Sequence, residues 1–115
     1  MVEEDDRRVI ERVLAGSEPA FRQIVDQHSQ QIFNYARRMT RNGTEAEDIA
    51  QETFIRFWVS RDRFDPSRVK LTTWLHRIAR NLCVDYFRQR QLQERQVPVQ
   101  SDSQDNPDTD YELSI

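Results

Sequence analysis

Apolar residues recur at steps of three and four along most of this chain, and the β-branched residues never alternate with period two. The first spacing lines one face of an α-helix, whereas alternation would mark a half-buried strand. The pattern predicts an all-α fold of three or four helices with no sheet. Residues 4–15 read as a short helix with Val9, Ile10, Val13 and Leu14 on one side, ended by Gly16. Ser17 is placed to cap the next helix, with Pro19 in its first turn. That helix runs to about Arg41, turns Phe21, Ile24, Val25, His28, Ile32, Tyr35, Ala36 and Met39 inward, and is stopped by Asn42 and Gly43. Thr44 and Glu47 have capping-box spacing, so that the hydroxyl takes one orphan amide and the carboxylate another. The helix they open, Glu45 to about Ser60, carries Ala46, Ile49, Ala50, Thr53, Phe54 and Phe57 on its stripe. Residues 61–70, RDRFDPSRVK, are charged, contain Pro66 and read as a loop. The clearest periodic run spans about Thr72 to Arg95, with Leu71, Trp74, Leu75, Ile78, Ala79, Leu82, Cys83 and Tyr86 on the buried face.

Composition changes this picture at the C-terminal end. Residues 96–115 turn to Gln, Ser, Asp and Pro and lack the apolar mass that would offset ordering entropy. The expected organisation is therefore one helical domain over residues 1–95, then an acidic linker or disordered tail over 96–115. The 115 residues suffice for one small core.

The net charge of −3 argues against a nucleic-acid binder until it is divided along the chain. Residues 61–95 hold nine basic and four acidic residues, net +5; residues 96–115 hold five acidic and no basic ones, net −5. Salt screens beyond about 8–10 Å, so the basic block can meet phosphate in an acidic protein. The single cysteine, Cys83, excludes an internal disulfide and fits a reducing cytoplasm. No apolar run reaches the roughly 18 residues a membrane span needs, so a soluble, cytoplasmic protein is expected.

Three segments carry candidate chemistry. Arg77, Arg80, Asn81, Val84 and Arg88 lie three or four residues apart, on the side assigned away from the Trp74/Ile78/Leu82 stripe. Arginines neutralise phosphates and an amide can read a base edge with a donor and an acceptor; an ordinary solvated basic face is the alternative. In the loop, Arg61, Arg63, Arg68 and Lys70 flank Phe64, Asp65, Pro66 and Ser67. An aromatic among cations suits unpaired bases, but Phe64 itself is better read as tucked into the core, with the loop as a whole still a DNA candidate. On the third segment, Asp48, Gln51, Glu52, Ile55 and Val59 share one helix side. Two β-branched residues among acids suggest a protein partner; packing under the loop, or acids that merely cap and solvate the helix start, are the alternatives. Trp58 and Trp74 are read as core rather than as wedges into melted DNA. His28 and His76 have no ligand-spaced neighbours, and no nucleophile elbow or Gly-rich phosphate loop is present, so no catalysis, metal or cofactor is expected. Cys83 is read as an inert packing residue.

Taken in order, the D-x-x-Q-E helix, the R-F-D-P-S-R loop and the W-L-x-x-I-A-R-N helix within residues 46–90 resemble region 2 of sigma-70-family factors, specifically the extracytoplasmic-function group. Residues 20–40 resemble the first helix of that region. The resemblance implies a compact helical domain that is not an enzyme. It implies that Asp48, Gln51 and Glu52, with Ile55 and Arg56 beside them, dock on the clamp helices of the polymerase β′ subunit. It further implies that the Arg61–Lys70 loop, including Arg63, Phe64, Ser67 and Arg68, and the last helix with Arg77, Arg80, Asn81 and Arg88 grip the non-template strand of the promoter −10 element. In this family the loop helps capture a flipped-out base, and the Asn of the R-N pair belongs to that pocket. By family habit an anti-sigma factor is a further partner. Region 4, the helix-turn-helix that reads the −35 element, has no counterpart before the sequence ends at Ile115, so a piece of a longer factor is expected. Two rivals stand beside this reading: a generic helical duplex binder, and a protein-interaction module that never meets DNA.

Overall fold

A computed structural model describes the backbone over residues 2–95 and side chains over 7–94. The expected acidic tail, 96–115, lies outside the described residues. Four α-helices follow one another: α1 (Val2–Leu14), α2 (Glu18–Thr40), α3 (Gly43–Val59) and α4 (Leu71–Arg95), with a single 3₁₀ turn (Arg61–Arg63) between the last two. No strand occurs among the described residues.

Local chemistry sets the helix ends. α1 closes on Gly16 at φ 99°, with the Ser17 amide donating to Arg12 O and the Gly16 amide to Val13 O, both at 2.9 Å. These paired bonds satisfy carbonyls the helix would leave open, and the left-handed residue they require is a glycine. Ser17 Oγ then accepts from the Ala20 amide at 3.2 Å and opens α2, with Pro19 in the first turn. The α2–α3 junction departs from the expected one. Arg41 takes the left-handed position (φ 57°), and Asn42 Oδ1 accepts from the Glu45 amide at 3.1 Å. α3 therefore starts at Gly43 under an Asn42 cap, not at Glu45 under Thr44. Thr40 supports the junction by donating to Ala36 O at 2.9 Å while its oxygen accepts the Asn42 amide at 3.3 Å.

α2 and α3 pack together at the centre, α4 packs on both, and α1 lies on α2 and the 3₁₀ turn. The core centres on Val13, Ile24, Ile32, Phe57 and Leu75, all fully buried. Each such side chain contributes roughly 1.5–3 kcal/mol by leaving water. Phe57, Phe64 and Trp74 form an aromatic chain, with centroids 5.8 Å and 5.5 Å apart in sequence order. A smaller cluster of Ala36, Ala46, Ile49 and Cys83 closes the other end. Burial pushes the Cys83 thiol up to about 11, which suits an inert packing residue. Met39, assigned inward by periodicity, is 40% exposed, because the inward position of α2's last turn is held by Thr40.

Candidate nucleic-acid interface

Although charged, the segment between α3 and α4 is built as a fixed turn. Arg61 folds back on α3: its guanidinium carbon lies 3.9 Å from the Trp58 ring centre, and Nη1 donates to Trp58 O at 2.7 Å. Phe64, 4% exposed, anchors the segment in the core. Asp65 Oδ1 accepts from the Ser67 amide at 3.0 Å and from Ser67 Oγ at 2.6 Å, and these bonds hold its carboxyl below the usual range. Amides of Arg68 and Val69 both donate to Asp65 O. The outcome is a tight knuckle presenting Arg63, Pro66, Ser67, Arg68 and Lys70 to solvent.

Two residues of the expected DNA surface lie inside the fold. Phe64 cannot stack on a base from the surface, since its ring is spent between Phe57 and Trp74. Asn81, grouped by spacing with the exposed arginines, is 4% exposed. It lies seven residues after Trp74, and seven residues return an α-helix to within about 20° of the same direction. Asn81 thus continues the Trp74/Ile78 stripe, and the α4 surface holds Arg80 exposed with Arg77, Val84 and Arg88 half-buried. Arg88 also sits 3.9 Å from Asp85. Arg61 is present in the segment but is held against Trp58.

The outer side of α3 forms a ridge between two grooves. Asp48 and Gln51 are exposed, Ile55 is 53% and Val59 72% exposed, so neither apolar residue packs under the loop. Glu52 pairs with Arg56 at 2.9 Å. On one side of the ridge, a groove of about 390 Å³ toward α4 is lined by Glu45, Asp48, Glu52 and Asp85 with Arg56. On the other, an apolar groove of about 310 Å³ toward α2 is lined by Phe21, Val25, Ala50, Phe54 and Ile55. A third cavity, beside the first turns of α4, includes Tyr35 of α2. Periodicity marks Tyr35 only as core, because sequence spacing on one helix says nothing of which neighbour it faces.

The described residues include no group of three or more His, Cys, Asp or Glu able to hold a metal, and no helix long and apolar enough to cross a membrane. The sigma-70 region 2 family matches residues 24–93, which takes in α3, the knuckle, most of α2 and nearly all of α4. The chain belongs to this family. Among curated relatives of this region 2 chain, the ECF RNA polymerase sigma factor SigW of Bacillus subtilis (strain 168) is 46% identical over 73% of the chain and 44% of SigW. ECF RNA polymerase sigma factor SigE of Mycolicibacterium smegmatis is 39% identical over 63% of the chain and 27% of its own length. The chain therefore spans less than half of the length of these two relatives. An NMR structure of an engineered region 2 of sigmaE in complex with GTAAAA superposes with a TM-score of 0.69 at 31% identity, covering 76% of this chain and 90% of that one. The sigma-type resemblance and the all-α fold read from the sequence are both borne out.

Proposed function

We propose that this chain is the promoter-binding region 2 of an extracytoplasmic-function sigma factor, which docks on core RNA polymerase and engages the −10 element as single-stranded DNA. The observation that carries the reading is the likeness to a sigmaE region 2 seen with GTAAAA, together with a cationic knuckle, held by the Asp65–Ser67 bonds, within the residues the family matches. Opening a duplex costs a few kcal/mol for each unstacked base. A protein that prefers the open form shifts that equilibrium by its differential affinity. On this reading no bond is made or broken by the protein, and its place of action is the cytoplasm, with polymerase.

Arg63, Ser67, Arg68 and Lys70 on the knuckle and Arg77, Arg80 and Arg88 on α4 contact the strand. Asn81, buried, serves as base-reading floor rather than as surface. Phe64 and Arg61 hold the knuckle's shape from within. The ridge of Asp48, Gln51, Glu52, Ile55 and Arg56 meets the polymerase β′ clamp helices. An anti-sigma partner enters through family membership alone.

The test is binding of labelled single-stranded oligonucleotides, −10-like and scrambled, at two salt concentrations, with and without core polymerase. Selective, salt-sensitive binding that strengthens with polymerase and is lost in Asn81→Ala is the expected result. Equal binding to both sequences with no effect of polymerase would leave only a generic basic surface.

A further inference from the structure

With Phe64 in the core, the strand contacts named above are cations, a hydroxyl and one buried amide, and none is an aromatic ring. One large aromatic does stand at the surface of α4. Phe87 is 38% exposed and belongs to neither core cluster. A lone exposed Phe is ordinary on a protein surface; the direction in which this one leaves the helix is not. Seven residues separate it from Arg80, and seven residues return an α-helix to within about 20° of the same direction. Val84, four residues after Arg80 and three before Phe87, lies between them on that side. Arg77, three before Arg80, and Arg88, four after Val84, border the same face. The acidic groove between α4 and α3 is lined from α4 by Leu82, Asp85, Tyr86 and Gln89, and not by Phe87. Phe87 thus looks away from that groove, along the cationic side of α4.

The ring is also supported from one side. Tyr86 meets it with centroids 5.4 Å apart and planes at 61°. Tyr86 in turn packs on the smaller core cluster and accepts from Arg90 Nη1 at 2.9 Å. A side chain held before its ligand arrives loses less entropy on binding. A phenyl ring has no donor or acceptor, so it adds nothing to a phosphate contact. Its π-face can stack on an unpaired base of any kind, while arginines beside it hold the backbone. Cations bordering the ring favour a polyanion over an apolar protein surface as its occupant. Phe87 lies about 10 Å along the helix axis from Arg80, and a stacked strand advances about 3.4 Å per nucleotide. The two side chains are therefore about three nucleotides apart on one strand.

We infer that Phe87 is a stacking residue of the DNA interface, taking one unpaired base of the strand whose phosphates Arg77 and Arg80 hold. This rests on the DNA-binding reading above and adds to it an aromatic contact and a further turn of α4.

The experiment is fluorescence anisotropy of the 115-residue chain with labelled −10-like single-stranded DNA across a salt series, repeated with oligonucleotides carrying one abasic site at each position in turn. Phe87→Ala should weaken binding at least about fivefold, as loss of a stacked base does. The salt slope should not change, because no phosphate contact is removed. Phe87→Trp should stay within about twofold of wild type, since it keeps a π-face. Met39→Ala, which removes an equally exposed apolar side chain from α2, should bind as wild type does. At one abasic position the wild-type chain should lose affinity and Phe87→Ala should lose nothing further, which identifies the stacked base. Unchanged DNA affinity in Phe87→Ala would overturn the inference, and a loss confined to polymerase binding would make Phe87 a protein contact instead. A loss of the same size at every abasic position, or one that Phe87→Trp does not restore, would overturn stacking as its cause. A wild-type chain that binds no oligonucleotide would overturn the DNA-binding reading itself. Circular dichroism checks that each variant keeps the helical fold.

Discussion

An aromatic ring among cations can lower its free energy by stacking on a base or by leaving water for the core. At Phe64 the core has won: the ring bridges Phe57 of α3 and Trp74 of α4 and ties a charged segment to the interior. Phe64→Ala is therefore expected to lower unfolding free energy by about 3–5 kcal/mol, read as a lower urea midpoint. A surface stacking residue would behave oppositely, losing DNA affinity at a stability cost below about 0.5 kcal/mol. Stability near wild type in this variant would return Phe64 to the surface. Asn81 illustrates a related point. Its polarity and its arginine neighbours suggest the outer face, yet its seven-residue separation from Trp74 fixes it on the inner one. Angular position along α4 outweighs residue type, because an amide is tolerated in a core that satisfies its hydrogen bonds.

Helices were legible wherever a stripe was long. α4 carries an apolar residue on its inner face at nearly every turn from Leu71 to Cys83, and α3 buries all six residues its spacing marks. The boundaries were harder, because neighbouring side chains compete to cap. Ser17 stands alone before a proline and caps as expected; Asn42 and Thr44 lie two residues apart, and either could open α3. Asn42 wins because Arg41 absorbs the left-handed turn, which leaves Asn42 extended (φ −142°) with its oxygen facing the Glu45 amide. Asn42→Ala should cost about 1 kcal/mol of stability, while Thr44→Ala should cost only a few tenths. Thermal melting of the two variants side by side measures the difference. The opposite ranking would restore the capping box.

Taken as one body, the molecule separates two kinds of surface that a single helix pattern cannot distinguish. Spacing places Ile55 and Val59 on the outside of α3, but whether a loop covers them depends on where the chain goes after Ser60. Here the Arg61–Trp58 contact and the buried Phe64 draw that chain toward α1 and α4, leaving the ridge bare. Two β-branched residues exposed beside Gln51 and an apolar groove lose solvation free energy that docking would recover. The knuckle and the ridge should then fail independently. Replacing Ile55 and Val59 together by Asp puts charge on the ridge without touching the core, so stability should stay within about 1 kcal/mol of wild type. Affinity for core polymerase should fall at least roughly tenfold, as when apolar anchors are lost from the centre of an interface. Single-stranded DNA binding without polymerase should change less than about twofold, apart from a shift common to all sequences from the added negative charge. Pull-down on polymerase and anisotropy on DNA, run on the same preparation, separate these effects. Retained polymerase binding would move the docking face elsewhere; a collapse in stability would mean that the two side chains are packed after all.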